Sequence, residues 1–263
     1  MERSYKKRAL LEIVMKIVFL AAACMSVLCV ALICMECAMT RKQFGVKACL
    51  LLAAILALFG FTRDGQLSVL ESVLILIIFV GFLVESLIAA RQEQGSELPA
   101  QEERPKIDKK TVLLNIGKFL LGAAGIVLGA QLLIDNGSAL ARMLGVPDAV
   151  IAATMIAIGT SLPELVTTLT AIKKKQASLS VGNIIGANIM DLTLIMPLCA
   201  VIQGKPMTVE RQGMLLDIPA CLIICAAALS PALVQGKFKR WIGYLIGGLY
   251  IAYLIIMFTC FGA

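Results

Sequence analysis

The chain has 263 residues, 60% of them hydrophobic and 16% charged, with a mean hydropathy of +0.93 and a net charge of +7. A water-soluble domain is about 45–50% apolar, so an ordinary soluble fold is excluded, and the absence of His excludes imidazole catalysis and imidazole metal sites. The basic excess lies in short loops between apolar runs, with no stripe and no interleaved aromatics, so the bilayer and not nucleic acid is the expected partner.

Eight apolar segments follow in order, at about 9–36, 46–62, 66–90, 111–135, 148–172, 179–202, 213–234 and 240–261. A helix needs roughly 20 apolar residues to cross a bilayer, and it satisfies its backbone groups internally. The predicted fold class is therefore an all-α membrane protein with about eight transmembrane helices. The first run, Ile17–Cys34, is too long for a signal-peptide core and reads as a span. Cys34 and Cys37 form a CxxC at its end with no second pair to complete a zinc site; cysteines inside the runs act as small hydrophobes. Residues 91–110 carry Gln-Glu-Gln-Gly and Glu-Glu-Arg-Pro and read as a linker. They separate a first half, 1–90, of about three helices from a second half, 111–263, of five. Lys and Arg gather on the side of the linker and of Lys173–Lys175, which predicts a cytoplasmic linker in a multi-pass protein of the plasma or inner membrane. With eight spans the Arg3–Arg8 cluster then falls outside, against the same rule.

Two stretches repeat. Arg41-Lys-Gln precedes Ala48–Phe61 and Arg211-Gln-Gly precedes Ile218–Ala232, while Gly65-Gln-Leu-Ser and Gly236-Lys-Phe-Lys each open a final helix. Five spans separate the copies, so they run in opposite directions through the membrane. Incomplete inverted five-helix repeats are the expectation, and inverted repeats are a transporter feature; chance matching of apolar runs is the competing explanation.

The chemistry concentrates in residues 157–197. Gly159-Thr-Ser-Leu-Pro-Glu164 lies in one span and Gly182-Asn-Ile-Ile-Gly-Ala-Asn-Ile-Met-Asp191 in the next. A carboxylate at mid-membrane costs about 2.5–3.5 kcal/mol on the mildest scale, and a cation is the natural partner. Thr160 and Ser161 precede Glu164 by four and three residues, and Asn188 precedes Asp191 by three, so each set shares a helix face. Pro163 clashes with the Gly159 carbonyl and frees it. These are all oxygen donors, which suit hard cations such as Ca²⁺ or Na⁺. Gly182 and Gly186 form a GxxxG pair, whose spacing predicts close approach of the Asp191 helix to the Glu164 helix, with plain packing as the competing reading. Gly122, Gly125 and Gly129 read as packing glycines.

The two motifs, Thr154-Met-Ile-Ala-Ile-Gly-Thr-Ser-Leu-Pro-Glu-Leu and Val181-Gly-Asn-Ile-Ile-Gly-Ala-Asn-Ile-Met-Asp, resemble the second alpha repeat of the sodium/calcium exchanger (cation/Ca²⁺ antiporter) superfamily, prokaryotic type. The resemblance covers about 111–261, and 40–90 more weakly. It implies two inverted five-helix repeats that bind Ca²⁺ and Na⁺ alternately, as substrates and without a cofactor. It also implies ion-binding roles for Thr160, Ser161, Glu164 and Asp191 and for the carbonyl of Ala157, beside Asn188 from the spacing.

Two departures stand out. Ala187 occupies a position where the family has Ser, which removes one hydroxyl from a sodium site. At the repeat offset, the first-half copy of Gly159–Glu164 falls before Met1, and residues 12–21 do not match Gly182–Asp191. Glu71 and Glu85 lie nearer the ends of their span and do not replace the missing acid. The expectation is a non-enzymatic antiporter-family protein, truncated at its N-terminus and carrying half of an ion site. A second chain or an oppositely inserted copy would supply the rest. The alternatives are a non-transporting or degenerate subunit and a cation/proton antiporter.

Overall fold

The computed structural model describes residues 27–34, 37–38, 41–96, 109–146 and 148–260. The Arg3–Arg8 cluster, most of the first apolar segment and linker residues 97–108 lie outside them. The described elements are α1 (27–34), β1 (Cys37–Ala38), α2 (Arg41–Phe61), β2 (Gln66–Leu67), α3 (Val69–Ser96), α4 (Lys109–Met143), α5 (Asp148–Lys173), α6 (Ala177–Met190), α7 (Met196–Gln203), β3 (Met207–Thr208), α8 (Ile218–Gln235), β4 (Lys237–Phe238) and α9 (Arg240–Cys260). Six helical stretches among the described residues are long and apolar enough to cross a membrane. The chain is an all-α multi-pass membrane protein. α3 runs to Ser96, into the polar stretch read as linker, because Arg, Gln and Glu continue a helix readily in water.

Two compact units divide the chain. One joins residues up to Glu85 with Glu164–Ala263; the other is Ser86–Pro163. In the first unit α8 is the central post. Ile218, Cys221, Ile224, Cys225, Ala228, Leu229 and Ala232 are buried at the three- and four-residue spacing of one helix face. They pack on α2 and α9, and α2 turns Phe44, Ala48, Leu51, Ile55 and Leu58 inward. The opposite faces, with Leu56, Ile223 and Ile255, are exposed, as lipid requires. Gly243 and Gly247 let α9 meet α1: a Cβ on Gly243 would lie 3.1 Å from the Cys29 carbonyl, and one on Gly247 2.9 Å from Cys29 Sγ.

The repeat seen in the sequence is interleaved in space. β1 pairs antiparallel with β4, Cys37 opposite Phe238; β2 pairs with β3, Leu67 opposite Met207. At the repeat offset β1 corresponds to β3, and β2 to β4. Each two-stranded ladder therefore joins the first element of one copy to the second of the other. Because α2 connects β1 to β2, the ladders lie at its opposite ends. Gly65 and Gly236 hold equivalent places before β2 and β4, with φ of 79° and 70°, a left-handed turn that glycine enters without a Cβ clash. Phe44 meets Phe238 edge-on, 5.1 Å between centroids.

Two spans contain a π turn, Asp191–Ile195 and Gly213–Asp217. Each ends two residues before a proline, Pro197 or Pro219. A proline ring clashes with the carbonyl four residues back, and one extra residue in the turn relieves the clash.

Candidate functional site

Glu164 and Asp191 both belong to the first unit. Glu164 sits within α5, and Asp191 opens the π turn that follows α6. The Asp191 N–H donates to the carbonyls of Ala187 and Asn188, and the Asp191 carbonyl accepts from Met196 N–H, five residues on. The π turn thus sits at the acid itself, as such turns often do at functional positions. The two carboxyl groups, carried by successive helices, lie within electrostatic reach of each other. The loss from mutual repulsion is largest in a dry interior, and a shared cation removes it.

Asn188 is fully buried; its Nδ2 donates to the Ile184 carbonyl at 2.8 Å. That fixes the amide and leaves Oδ1 with no hydrogen-bond partner. Glu164 Oε2 is likewise buried and unpartnered. A buried polar atom without a partner costs about 1–3 kcal/mol, so these two oxygens are poised acceptors. Asn183 Nδ2 donates to Thr167 Oγ1 at 2.9 Å and ties α6 to α5. Among the described residues no three His, Cys, Asp or Glu side chains converge; the donor set is two acids with neutral oxygens.

The second unit contains Ala157, Thr160 and Ser161, on the N-terminal part of α5. Ser161 is buried; the side chains of Ala157 and Thr160 lie outside the described residues. Gly159 is buried where α4 crosses α5: a Cβ there would lie 2.7 Å from Ile134 Cγ1 and closer still to Cδ1. The glycine before the Thr-Ser pair is therefore a close-approach residue.

The GxxxG expectation is corrected. Among the described residues, a Cβ on Gly186 would meet Phe82 at 3.8 Å, and one on Gly182 would meet nothing within 4 Å. Gly186 faces α3, and the α5–α6 tie is the Asn183–Thr167 hydrogen bond. A Cβ on Gly122, Gly125 or Gly129 would likewise meet nothing within 4 Å, so packing does not explain them among the described residues. Glu71 caps α3, accepting from Ser68 N–H at 2.8 Å while Ser68 Oγ accepts from Glu71 N–H at 3.2 Å. Glu85 pairs with Lys47 at 3.9 Å.

One buried acid escaped the sequence reading. Asp217 Oδ1 accepts from Tyr253 Oη at 2.9 Å and from Gln212 Nε2 at 3.4 Å, joining the start of α8 to α9. An acid inside the apolar run 213–234 was the available signal.

Residues 114–259 match the family model described as sodium/calcium exchanger protein. The chain is 34% identical over 144 residues to the sodium/calcium exchanger MaX1 of Methanosarcina acetivorans, which covers 55% of this chain and 41% of MaX1. It is 29% identical over 205 residues to the inner membrane protein YrbG of Escherichia coli, 74% of this chain and 61% of YrbG. The chain thus spans about half the length of these relatives. Among solved structures, the sodium-calcium exchanger NCX_Mj superposes with a TM-score of 0.70 at 23% identity, over 95% of this chain and 79% of that one; this likeness establishes the fold.

Proposed function

The chain belongs to the sodium/calcium exchanger family, and from that premise we propose that it contributes one acidic half of a Ca²⁺ site to a membrane antiporter. What supports the reading is the placing of two acids, Glu164 and Asp191, inside successive spans within electrostatic reach of each other, together with the buried, unpartnered oxygens Glu164 Oε2 and Asn188 Oδ1. Ca²⁺ takes six to eight oxygens. Glu164, Asn188 and Asp191 supply part of that shell. Thr160, Ser161 and the Ala157 carbonyl, earlier on the same helix, supply more in this reading. Further acidic oxygens, from a partner chain or an oppositely inserted copy, complete it in this reading. Ca²⁺ and Na⁺ are substrates here, and no resident cofactor enters the proposal. The plasma or inner membrane is the proposed location.

Exchange follows from competition. Two acids and a few neutral oxygens hold one divalent ion or monovalent ions in its place, and the occupied site is the state that crosses. Ala187, where the family has Ser, supports a second reading in which protons replace Na⁺ as the counter-ion. In inverted vesicles bearing the full chain, an outward Na⁺ gradient drives ⁴⁵Ca²⁺ uptake in the first reading and a pH gradient drives it in the second. Glu164→Gln abolishes uptake in either. Uptake unchanged in Glu164→Gln refutes the site.

A further inference from the structure

Hydroxyl side chains buried in a helix ordinarily donate to the carbonyl four residues back. In the larger unit Thr62, Ser72 and Thr193 do so, to Leu58, Ser68 and Ile189 at 2.8, 2.9 and 2.6 Å. Thr168 and Ser180 do not. They are 0% and 2% exposed, and the Oγ of each has no hydrogen-bond partner. Two buried hydroxyls that make no hydrogen bond call for a partner.

Their positions in the hairpin place them at nearly the same depth. α5 and α6 are joined by the short turn Lys174–Gln176 and pinned by Asn183 Nδ2 to Thr167 Oγ1. Counted from that level at about 1.5 Å per residue, Thr168 lies about 1.5 Å and Ser180 about 4.5 Å toward the turn, a depth difference of only about 3 Å. Glu164 is four residues from Thr168 on the same face of α5, about 6 Å deeper. The residues carrying the unpartnered oxygens Glu164 Oε2, Thr168 Oγ1 and Ser180 Oγ therefore succeed one another in depth from the acidic site toward the α5–α6 turn.

We propose that Thr168 and Ser180 form a separate cation station beside the Glu164–Asp191 site, and that its occupant is a single Na⁺. Two neutral hydroxyls with one carboxylate a turn away offer hard oxygen donors but too little charge for a divalent ion. A site of this strength binds loosely enough to release its ion, which suits a station on a path. The proposal rests on the functional reading above, and the test separates the two.

The test is thermal unfolding of the purified full chain in detergent, with NaCl compared against choline chloride and, separately, with CaCl₂. A ligand that binds only the folded state raises Tm with its concentration. The expected result is a Na⁺-specific rise in the wild type whose half-maximal concentration increases at least threefold in the Thr168→Val, Ser180→Ala variant. The Ca²⁺-dependent rise is retained in that variant. Thr168→Ser keeps the wild-type Na⁺ response, and if the double variant does not unfold cooperatively, Thr168→Val against Thr168→Ser decides. A smaller change, or no Na⁺-specific rise in the wild type, overturns the station. A Ca²⁺ response that is absent in the wild type, or that survives in Glu164→Gln, overturns the functional reading instead.

Discussion

Replacing Tyr253 by Phe removes one hydroxyl from the interior and tests how the second copy of the repeat is held together. Tyr253 Oη is the closer of the two donors to Asp217 Oδ1, at 2.9 Å against 3.4 Å for Gln212 Nε2. Both residues are buried, so water does not replace the lost donor. A hydrogen bond to a charged group contributes about 1.5–3 kcal/mol, whereas polar pairs in membrane proteins average about 0.6 and reach about 1.7 kcal/mol. The two ranges overlap at about 1.5 kcal/mol. Burial of both partners places this pair at that upper end for membranes. Tyr253→Phe is therefore expected to cost about 1.5 kcal/mol, roughly tenfold in the unfolding equilibrium. The assay is SDS-driven unfolding in mixed micelles followed by the fluorescence of Trp241, the single tryptophan, which lies in α9. Asp217→Leu and the double variant complete a cycle. A coupling of about 1 kcal/mol or more is expected, as for residues in direct contact, because the Leu variant has no acceptor left to lose. A coupling below about 0.3 kcal/mol, the level found between independent sites, refutes the reasoning and reduces the contact to incidental proximity.

Two further outcomes follow from the geometry and the motif. Gly159→Ala forces a methyl against Ile134, a side chain that is stiff at χ1 in a helix. It is expected to destabilise by about 1–3 kcal/mol, with most of the loss recovered by adding Ile134→Ala in the same unfolding assay. Ala187→Ser restores the hydroxyl that the family motif carries. It is expected to lower the Na⁺ concentration that half-saturates ⁴⁵Ca²⁺ exchange several-fold while leaving Ca²⁺ binding within twofold; an unchanged Na⁺ dependence removes Ala187 from the account of ion choice.

The spans were legible in the sequence because the bilayer imposes a one-dimensional rule. About 20 apolar residues must come in a row, and no distant contact alters that. Glu164 and Asp191 were legible for the same reason, since an acid in such a run is costly wherever the chain goes next. The repeat was visible as Arg41 against Arg211 and Gly65 against Gly236 at offsets that differ by one residue, because glycine's φ and the charge at a helix entrance are local requirements.

Glycine spacing was a poorer guide. Gly182 and Gly186 have the helix-packing interval, but that interval says nothing about which neighbour stands opposite. Among the described residues, the pair that lets a helix approach closely is Gly243 with Gly247 against Cys29. The interleaving of the copies through β1–β4 and β2–β3 depended on backbone pairing between segments far apart in the chain, Cys37 with Phe238 and Leu67 with Met207. No local pattern specifies such pairing. The clasp from Asp217 to Tyr253 and the unpaired hydroxyls of Thr168 and Ser180 belong to the same class. Any membrane span can carry an Asp or a Thr, and whether its oxygen finds a donor, its own helix or nothing is settled only when the helices pack. Sequence by itself thus determined the solvent, the spans and the two acids. Tertiary structure decided their partners, because hydropathy is a property of a segment and hydrogen-bond satisfaction is a property of the packed whole.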